Sequence, residues 1–564
     1  MQDEFFEHKF LLRHHFWFDS GLPGLYSIAV LVKGKNAAYS DISFQLESDG
    51  MTFKAGSKEE FIQFLSDCYE ELADRYWNVS TKKQREAKDL VIYYKEKDEL
   101  GLIPRRNPTP LPALFTKGSS FRADAEEFEK LSPEMQQRVK AFLDEHKKTL
   151  WGKKKKLLFE PPVCHPKIKL FPSKGKKTTC CICGSEDVCD DVSQPSFLLF
   201  ASPTAALSFN SEGKKPDKLC WECEFLSKFA IESALYKTTD ENLFILQLNT
   251  GHAEKLVESH RIIGSQSAVR QIDNDYFMSN IGTEKGDRLL YYARLPYELL
   301  WAFFHDTYFL LRTEAEARTT SKEELFMFCI KPFIETPIQL ILMMISQKGQ
   351  TFIPKEIIAY TETAYAFRLL HSMREEFSND QKFLFKVYQD LYLPSEGKFD
   401  ISNNLLRNRI LQKVLKKQPI LQEVEQWAFR KSLKQNYPYI GNVLNFTRHY
   451  QQIIFKEGCE LDKEQVEVAV NLGKQIVLSA KETSDTNFDR VKGDLFALRK
   501  TRTKTDFLEQ LSRIQSRYNI IVSNKILSGI LEEKDFPFTD FKSYCLLGAL
   551  NTYNNIKRPK KSEE

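Results

Sequence analysis

The chain has no long apolar run, no strong net charge and none of the short motifs that mark the common catalytic sites. Its most apolar stretch, PIQLILMMIS at 337–346, is about half of the roughly 20 residues that cross a bilayer. It reads as a buried helix. The opening MQDEFFEHKF is acidic and lacks the apolar segment of a secretory leader, so a soluble, cytoplasmic protein is expected. A net charge of +4 does not by itself mark a nucleic-acid binder. There is no P-loop, no dinucleotide glycine pattern, no G-x-S-x-G and no H-E-x-x-H. His14 and His15 lie beside aromatics, as packing or surface residues do. His252, His260, His305 and His371 are scattered without a companion motif. No carboxylate spacing singles out a pair, no nucleophile–base constellation is found, and no repeat of fixed period occurs.

What is present is bulk and aromatic content. The chain has 564 residues, 42% of them hydrophobic, with 43 Phe. It can therefore bury large cores in several domains. Residues 1–55 read as mixed structure: DSGLPGLYSIAVLVKG places turn glycines before an apolar run, and DISFQLESDGMTF alternates around a D-G turn. Residues 57–76 have a Ser cap and helical spacing. A Pro-rich loop at 102–124 is too broken for regular structure, and 125–150 look helical. SFLLFAS and NLFILQLNT are strand candidates, AEKLVESHRII a helix, and GDRLLYYARLPYELLWAFFHDTYFLLR a strand that becomes a helix after Pro296.

From about 321 the strand signals vanish and apolar residues recur at three and four, as in Val466, Ala469, Val470 and Gly473 or Phe507, Leu508, Leu511 and Ile514. The expected fold is α+β, with a mixed N-terminal region that embeds a zinc-ribbon-like module, followed by an all-α C-terminal helical bundle. The expected segments are a mixed part at 1–146, a basic and metal-binding part at 147–235, and a mixed continuation at 236–320. A helical connector at 321–434 and the bundle at 435–564 complete the chain.

Cysteines carry the chemistry. Cys180-x2-Cys183 and Cys220-x2-Cys223 are two CxxC pairs with 36 residues between them. A CxxC hairpin presents two sulfurs from one turn, and two hairpins supply the four thiolates of a closed structural Zn²⁺ site. Gly184 suits the turn by tolerating positive φ, and a strand pair in SFLLFASPTAALSFN would fill the gap. Unliganded core cysteines and a thioredoxin-type redox pair are the alternatives; the latter needs a βαβ context for each pair. Disulfides are disfavoured in a reducing compartment. Cys181 is a substitute for Cys180 in a CxC arrangement, and Cys189, Cys164 and His165 are spare ligands.

The flanks are basic. Residues 147–177 hold eleven Lys and one acid, Glu160. Lys153, Lys154, Lys155, Lys156, Lys174, Lys176 and Lys177 are the candidate phosphate contacts, and Trp151, Phe159, His165 and Phe171 interleave as stacking surfaces. A solvated charged face is the competing explanation. Two further basic stretches carry Arg407, Arg409 and Lys413, with Lys416 and Lys417 beyond, and Arg499, Lys500, Arg502 and Lys504. Helix faces of this kind track a nucleic-acid backbone. In the Pro-rich loop, Arg105, Arg106, Asn107, Lys117 and Arg122 suit base contacts, or merely an exposed loop.

The stretch WFDSGLPGL (17–25), the two CxxC pairs and the basic helical C-terminus occur in that order. Within that C-terminus, GDLFALRKTRTKTDFLEQLSRIQSRYNIIVSNKILSGIL is followed by FKSYCLLGALN. Together they resemble the CXXC–CXXC large subunit of type I-B CRISPR Cascade complexes, over most of the chain. The resemblance implies a non-catalytic subunit that holds the 5′ handle of a guide RNA, reads the PAM in target duplex DNA and stabilises the opened and displaced strands. It implies backbone, handle-binding and small subunits as partners, with a helicase–nuclease or transposition proteins recruited. On that reading the PAM-reading candidates are Arg105, Arg106, Asn107 and Lys117, with Ser265, Gln266, Ser267 and Arg270. A zinc-stabilised nuclease and a zinc-ribbon transcription or RNA-processing factor are the alternatives.

Overall fold

Alternation in FEHKFL and in the hairpin after it builds the first sheet. In the computed structural model of the chain, β1 (Phe6–Leu11), β2 (Ser43–Leu46) and β3 (Gly50–Ala55) pair antiparallel in the order β1-β3-β2, with Phe10 opposite Met51 and Phe44 opposite Phe53. The described residues are 5–74, 89–104, 119–122, 124–150, 154–160, 163–166, 168–192, 196–197, 217–238, 242–264, 280–284, 287–290, 293–319, 338–348, 351–393, 401–435, 437–455, 461–522 and 536–558, with isolated positions between 321 and 331. They cluster into two compact units, one of residues 1–281 and 332–363 and one of 282–331 and 364–564.

In the first unit, the glycines read as turn residues are helical. A short turn, α1 (Phe16–Asp19), leads into α2 (Gly21–Lys35). Helix α3 (Lys58–Asp74) takes its expected place, and of 125–150 only α4 (Pro133–His146) is α-helical, following a strand at 125–127. The reason for the α2 glycines lies on the helix that begins within the second CxxC pair, α5 (Trp221–Ser233). A Cβ on Gly21 would sit 2.1 Å from the Leu226 carbonyl oxygen, and one on Gly24 2.0 Å from that of Phe229. Ser233 Oγ donates to the Ser20 carbonyl at 2.6 Å, closing the same contact. The glycines thus admit the backbone of α5. Gly24→Ala is expected to destabilise this unit by about 1–3 kcal/mol through overpacking. Gly34→Ala, with nothing within 4 Å of its Cβ, is expected to gain about 0.5–1 kcal/mol from helix propensity. Denaturant unfolding of the two variants checks the pair.

Strands β4 (Asp89–Tyr94), β5 (Glu99–Pro104), β7 (Ala125–Glu127) and β8 (Lys156–Leu158) form a sheet in the order β5-β4-β8-β7, and β6 (Ser119–Arg122) pairs with β9 (Val163–Pro166). Both ends of the Pro-rich stretch are therefore strands, and its middle, 105–118, lies outside the described residues. A three-stranded sheet, β10 (Lys177–Thr179), β11 (Glu186–Asp191) and β12 (Lys218–Cys220), carries the cysteines.

The fourth sheet corrects the expectation for 321–434. Its order is β13-β14-β17-β18, built from Leu235–Thr238, Leu243–Asn249, Gln339–Lys348 and Thr351–Tyr360. The apolar run expected as a helix is β17, a central strand with Leu246 opposite Leu342 and Phe244 opposite Met344. A strand covered on both faces reads as a continuous apolar run, not as an alternating one, and a short run of that kind does not distinguish strand from helix. Helix α6 (Ala253–Gly264) follows β14, and a hairpin, β15 (Asn280–Glu284) with β16 (Asp287–Leu290), precedes the second unit's first helix.

The second unit is helical: α7 (Pro296–Glu316), α8 (Thr363–Glu376), α9 (Phe383–Asp390), α10 (Ile401–Leu415), α11 (Leu421–Lys434) and α12 (Gly441–Ile454), then α13 (Lys463–Thr483), α14 (Asp485–Lys500), α15 (Lys504–Tyr518) and α16 (Phe538–Lys557). Asp462 with Gln465 and Thr503 with Asp506 form capping boxes at α13 and α15. Val466, Ala469, Phe507, Leu511 and Ile514 are buried, as their spacing predicts. Gly473 is a contact residue too, since its Cβ would fall 1.9 Å from the Cys545 carbonyl oxygen on α16. No helix among the described residues is long and apolar enough to cross a membrane.

Candidate metal centre

Strands β10 and β11 run antiparallel, with Thr179 opposite Glu186, and the turn between them is the first CxxC knuckle. The Cys180 amide donates to the Ser185 carbonyl at 2.9 Å and the Gly184 amide to the Cys180 carbonyl at 3.0 Å. Gly184 has φ +73° with open space where a Cβ would point, so glycine is needed there for conformation alone. Strand β11 then pairs with β12, Cys189 opposite Cys220. The Cys181 amide donates to the Lys218 carbonyl at 2.9 Å and ties the knuckle to β12.

The second pair does not sit on a hairpin, as the zinc-ribbon reading expected. Cys220 is the residue that caps α5, and Cys223 lies in its first turn. Backbone amides and the helix dipole there favour thiolates. Four Sγ atoms, from Cys180, Cys183, Cys220 and Cys223, lie within 4.8 Å of one another. Cys183 and Cys220 are 3.6 Å apart. Among the described residues this is the one group of three or more such ligands. Cys180, Cys220 and Cys223 are buried and Cys183 is half-buried.

Crowding four sulfurs divides their protons unequally. Hydrogen bonds from Cys220 and Cys223 hold the Cys180 thiol far below its ordinary value, and Cys223 with Ser185 brings Cys183 down to about 5 against burial. The donors move the other way: the bond to Cys180 helps push Cys220 up to about 12, and Cys223 is raised further. The cluster thus carries thiolate charge that a cation would share.

The residues around the cluster were not legible in sequence. The Arg13 side chain is 8% exposed and pairs through Nη2 with Glu222, which stands between the two cysteines of CWEC. Burial opposes the Arg13 charge, but Cys223, Glu222 and Cys183 outweigh it and raise its pKa. His8 Nε2 lies 3.4 Å from Glu222, and burial with Arg13 nearby lowers His8 to about 4, so it stays neutral. Asp19 of the WFDSG stretch accepts from the Arg13 amide at 2.5 Å and the His15 amide at 3.0 Å. Burial raises Asp19 to about 6 in spite of those bonds. WFDSGLPGL therefore orders the Arg13 loop against the cluster and receives α5 on its glycines. His15 Nδ1 accepts from the Trp17 amide at 3.2 Å and its ring stacks on Phe16.

Two of the spare ligands, Cys181 and Cys189, are outside the four-sulfur group. Cys181 is exposed, and Cys189 Sγ donates to the Thr178 carbonyl at 3.3 Å. Cys164 and His165 are on β9 opposite Phe121 and Ser120.

The basic residues divide into three groups. Lys174, Lys176 and Lys177 are exposed on the arm leading into the knuckle. Lys154 and Lys155 are exposed, with Lys154 3.0 Å from Glu127, and Lys156 is half-buried on β8. Lys500 and Arg502 are exposed, and Lys504 is half-buried. A second group faces carboxylates. Arg409 and Lys413 reach Glu423 at 3.3 and 2.6 Å, and Arg499 pairs with Glu425 at 2.9 Å while lying over Phe429. Arg407 corrects the backbone-tracking expectation: it is 2% exposed, bound to Glu298 at 2.7 Å and stacked over Tyr388. Its position on α10 points inward, so it is part of the core. Phe171 is likewise no stacking platform, because it packs on Trp221, with centroids 4.4 Å apart, and on His8. Phe159 holds Lys95 over its ring at 4.4 Å. The third group, Lys153, Arg105, Arg106, Asn107, Lys117, Ser265, Gln266, Ser267 and Arg270, lies outside the described residues.

Comparison of the chain with protein-family models and with curated proteins finds no match to either.

Proposed function

We propose that the chain is the non-catalytic large subunit of a type I-B CRISPR Cascade complex, with one structural Zn²⁺ on Cys180, Cys183, Cys220 and Cys223. The observation that supports it best is the joining of its two signature segments. WFDSGLPGL and the helix of the second CxxC pair, far apart in sequence, meet at Gly21 and Gly24. Zinc suits the donor set: a tetrahedron with metal–sulfur bonds of about 2.3 Å has edges of about 3.8 Å, near the 3.6 Å between Cys183 and Cys220. Four protein thiolates leave no open position, so the ion would lock knuckle to helix and do no chemistry. The chain acts in the cytoplasm. Lys174, Lys176 and Lys177 hold phosphates of the guide-RNA handle or the target. The segments 105–117 and 265–270 read the PAM, and partner subunits complete the channel for the displaced strand.

The test is assembly. Co-expressed with backbone and handle-binding subunits, the chain should retain guide RNA and bind duplex DNA in a PAM-dependent way. Changing Lys174, Lys176 and Lys177 together to Glu should flatten the logarithmic salt dependence by roughly 0.7–0.9 per lost contact. Tight DNA binding by the chain alone, or metal-dependent cutting of DNA by it, would overturn the reading.

A further inference from the structure

Helices α7 and α8, with the turn that leads into α9, enclose a recess of about 130 Å³ in the second unit. One wall is aromatic, from Phe309, Phe377 and Phe383, the last two stacked with centroids 3.8 Å apart. The other wall presents two guanidinium groups, Arg312 and Arg374. Arg312 is fully engaged: Nε donates to Glu316 at 2.7 Å, and Nη1 to Glu375 at 2.9 Å and to the Tyr308 hydroxyl at 3.1 Å. Asp380, also in the lining, holds Lys386 at 2.7 Å. Arg374 has no hydrogen bond or ion pair among the described residues. Burial, and then the neighbouring Arg312, press its pKa down, with Glu316 and Glu375, both bound to Arg312, acting the other way. A half-buried cation beside a like charge is unfavourable unless an anion joins it.

We propose that this recess is a binding site for a phosphate group, held by the Arg374 guanidinium with Gln381 at its rim. An arginine fork matches a tetrahedral oxyanion by two parallel N–H···O bonds, and because Glu316 and Glu375 are engaged by Arg312, Arg374 is the guanidinium left to meet the phosphate. Size limits the ligand. A cavity of about 150 Å³ holds a benzene molecule, so this one takes a phosphate and not the nucleoside attached to it. The phosphate is therefore a free anion or the terminal group of a nucleic-acid strand whose remainder stays outside. The site is independent of the guide-RNA reading, since it rests on the second unit alone.

Calorimetric titration of the full chain with inorganic phosphate tests it, with sodium acetate as the comparison anion. Phosphate should bind at least 10-fold more tightly to the native chain than to Arg374→Met. Gln381 is exposed, so Gln381→Glu should fold normally and still weaken phosphate about 10-fold by placing a carboxylate at the rim. That variant decides the question if Arg374→Met does not fold. Unchanged phosphate affinity in Gln381→Glu, acetate binding as tight as phosphate, or no phosphate binding to the native chain overturns the proposal. A short oligonucleotide with a 5′-phosphate that outcompetes its 5′-hydroxyl twin, in an Arg374-dependent way, assigns the site to a strand end; equal competition assigns it to the free anion.

Discussion

Cys223→Ser is expected to strip the bound metal and unfold much of the first unit. The sulfur it removes lies in the first turn of α5 and is wholly buried. A hydroxyl is a poor ligand for a thiolate-binding ion. Structural zinc in sulfur sites contributes about 10–16 kcal/mol of apparent binding energy, and a domain's net stability is only about 5–15 kcal/mol. Metal content should fall from one equivalent to under about a tenth. Soluble yield and the thermal midpoint should fall with it. Cys189→Ser is the control: its sulfur meets only the Thr178 carbonyl, so metal content should hold and stability should change by about 1 kcal/mol or less. Acid should mimic the first variant. Cys183 is held at about 5, below its ordinary value. In the metal-free cluster its contribution is therefore present at high pH and lost as pH falls through about 5, and acid should release a bound ion by protonating its ligands.

Arg407→Ala is expected to cost about 3–5 kcal/mol, because it leaves a carboxylate buried without its partner. Glu298 is 0% exposed and also accepts from the Arg294 and Leu295 amides at the start of α7. Removing the cation thus strikes the ion pair and disturbs the cap of a 21-residue helix. The double variant Glu298→Gln with Arg407→Met should recover most of the loss, since replacing both members of a buried pair is often near neutral. Denaturant unfolding of the three chains measures this. If Arg407→Ala unfolds like the native chain and lowers RNA affinity instead, Arg407 faces nucleic acid and its assignment to the core is wrong.

The two cysteine pairs were legible because ligand chemistry fixes residue type and spacing locally. Their elements were only half legible. CxxCG announces a knuckle, since Gly184 must take positive φ, whereas CWEC reads the same whether it caps a hairpin or opens a helix. The helical C-terminus was visible in the three-and-four spacing of Val466 and Ala469 or Phe507, Leu511 and Ile514. Strand β17 was not, because a strand buried on both faces loses the alternation that identifies it. Nor could sequence connect Arg13 to Glu222 or Arg407 to Glu298. Such pairs join positions that only the fold brings together, and a run rich in Arg and Lys looks the same whether one member points inward or all point out. Gly21 and Gly24 show the same limit, since a glycine spared a side chain for a close helix contact is indistinguishable in sequence from one that makes a turn.

X-ray absorption at the zinc edge of the purified full-length chain, joined to metal analysis, bears most directly on the four-sulfur clamp. The expected result is one equivalent of zinc with four sulfur scatterers at about 2.3 Å. Well under one equivalent, or an inner shell containing nitrogen or oxygen, would contradict the assignment of Cys180, Cys183, Cys220 and Cys223 as its ligands.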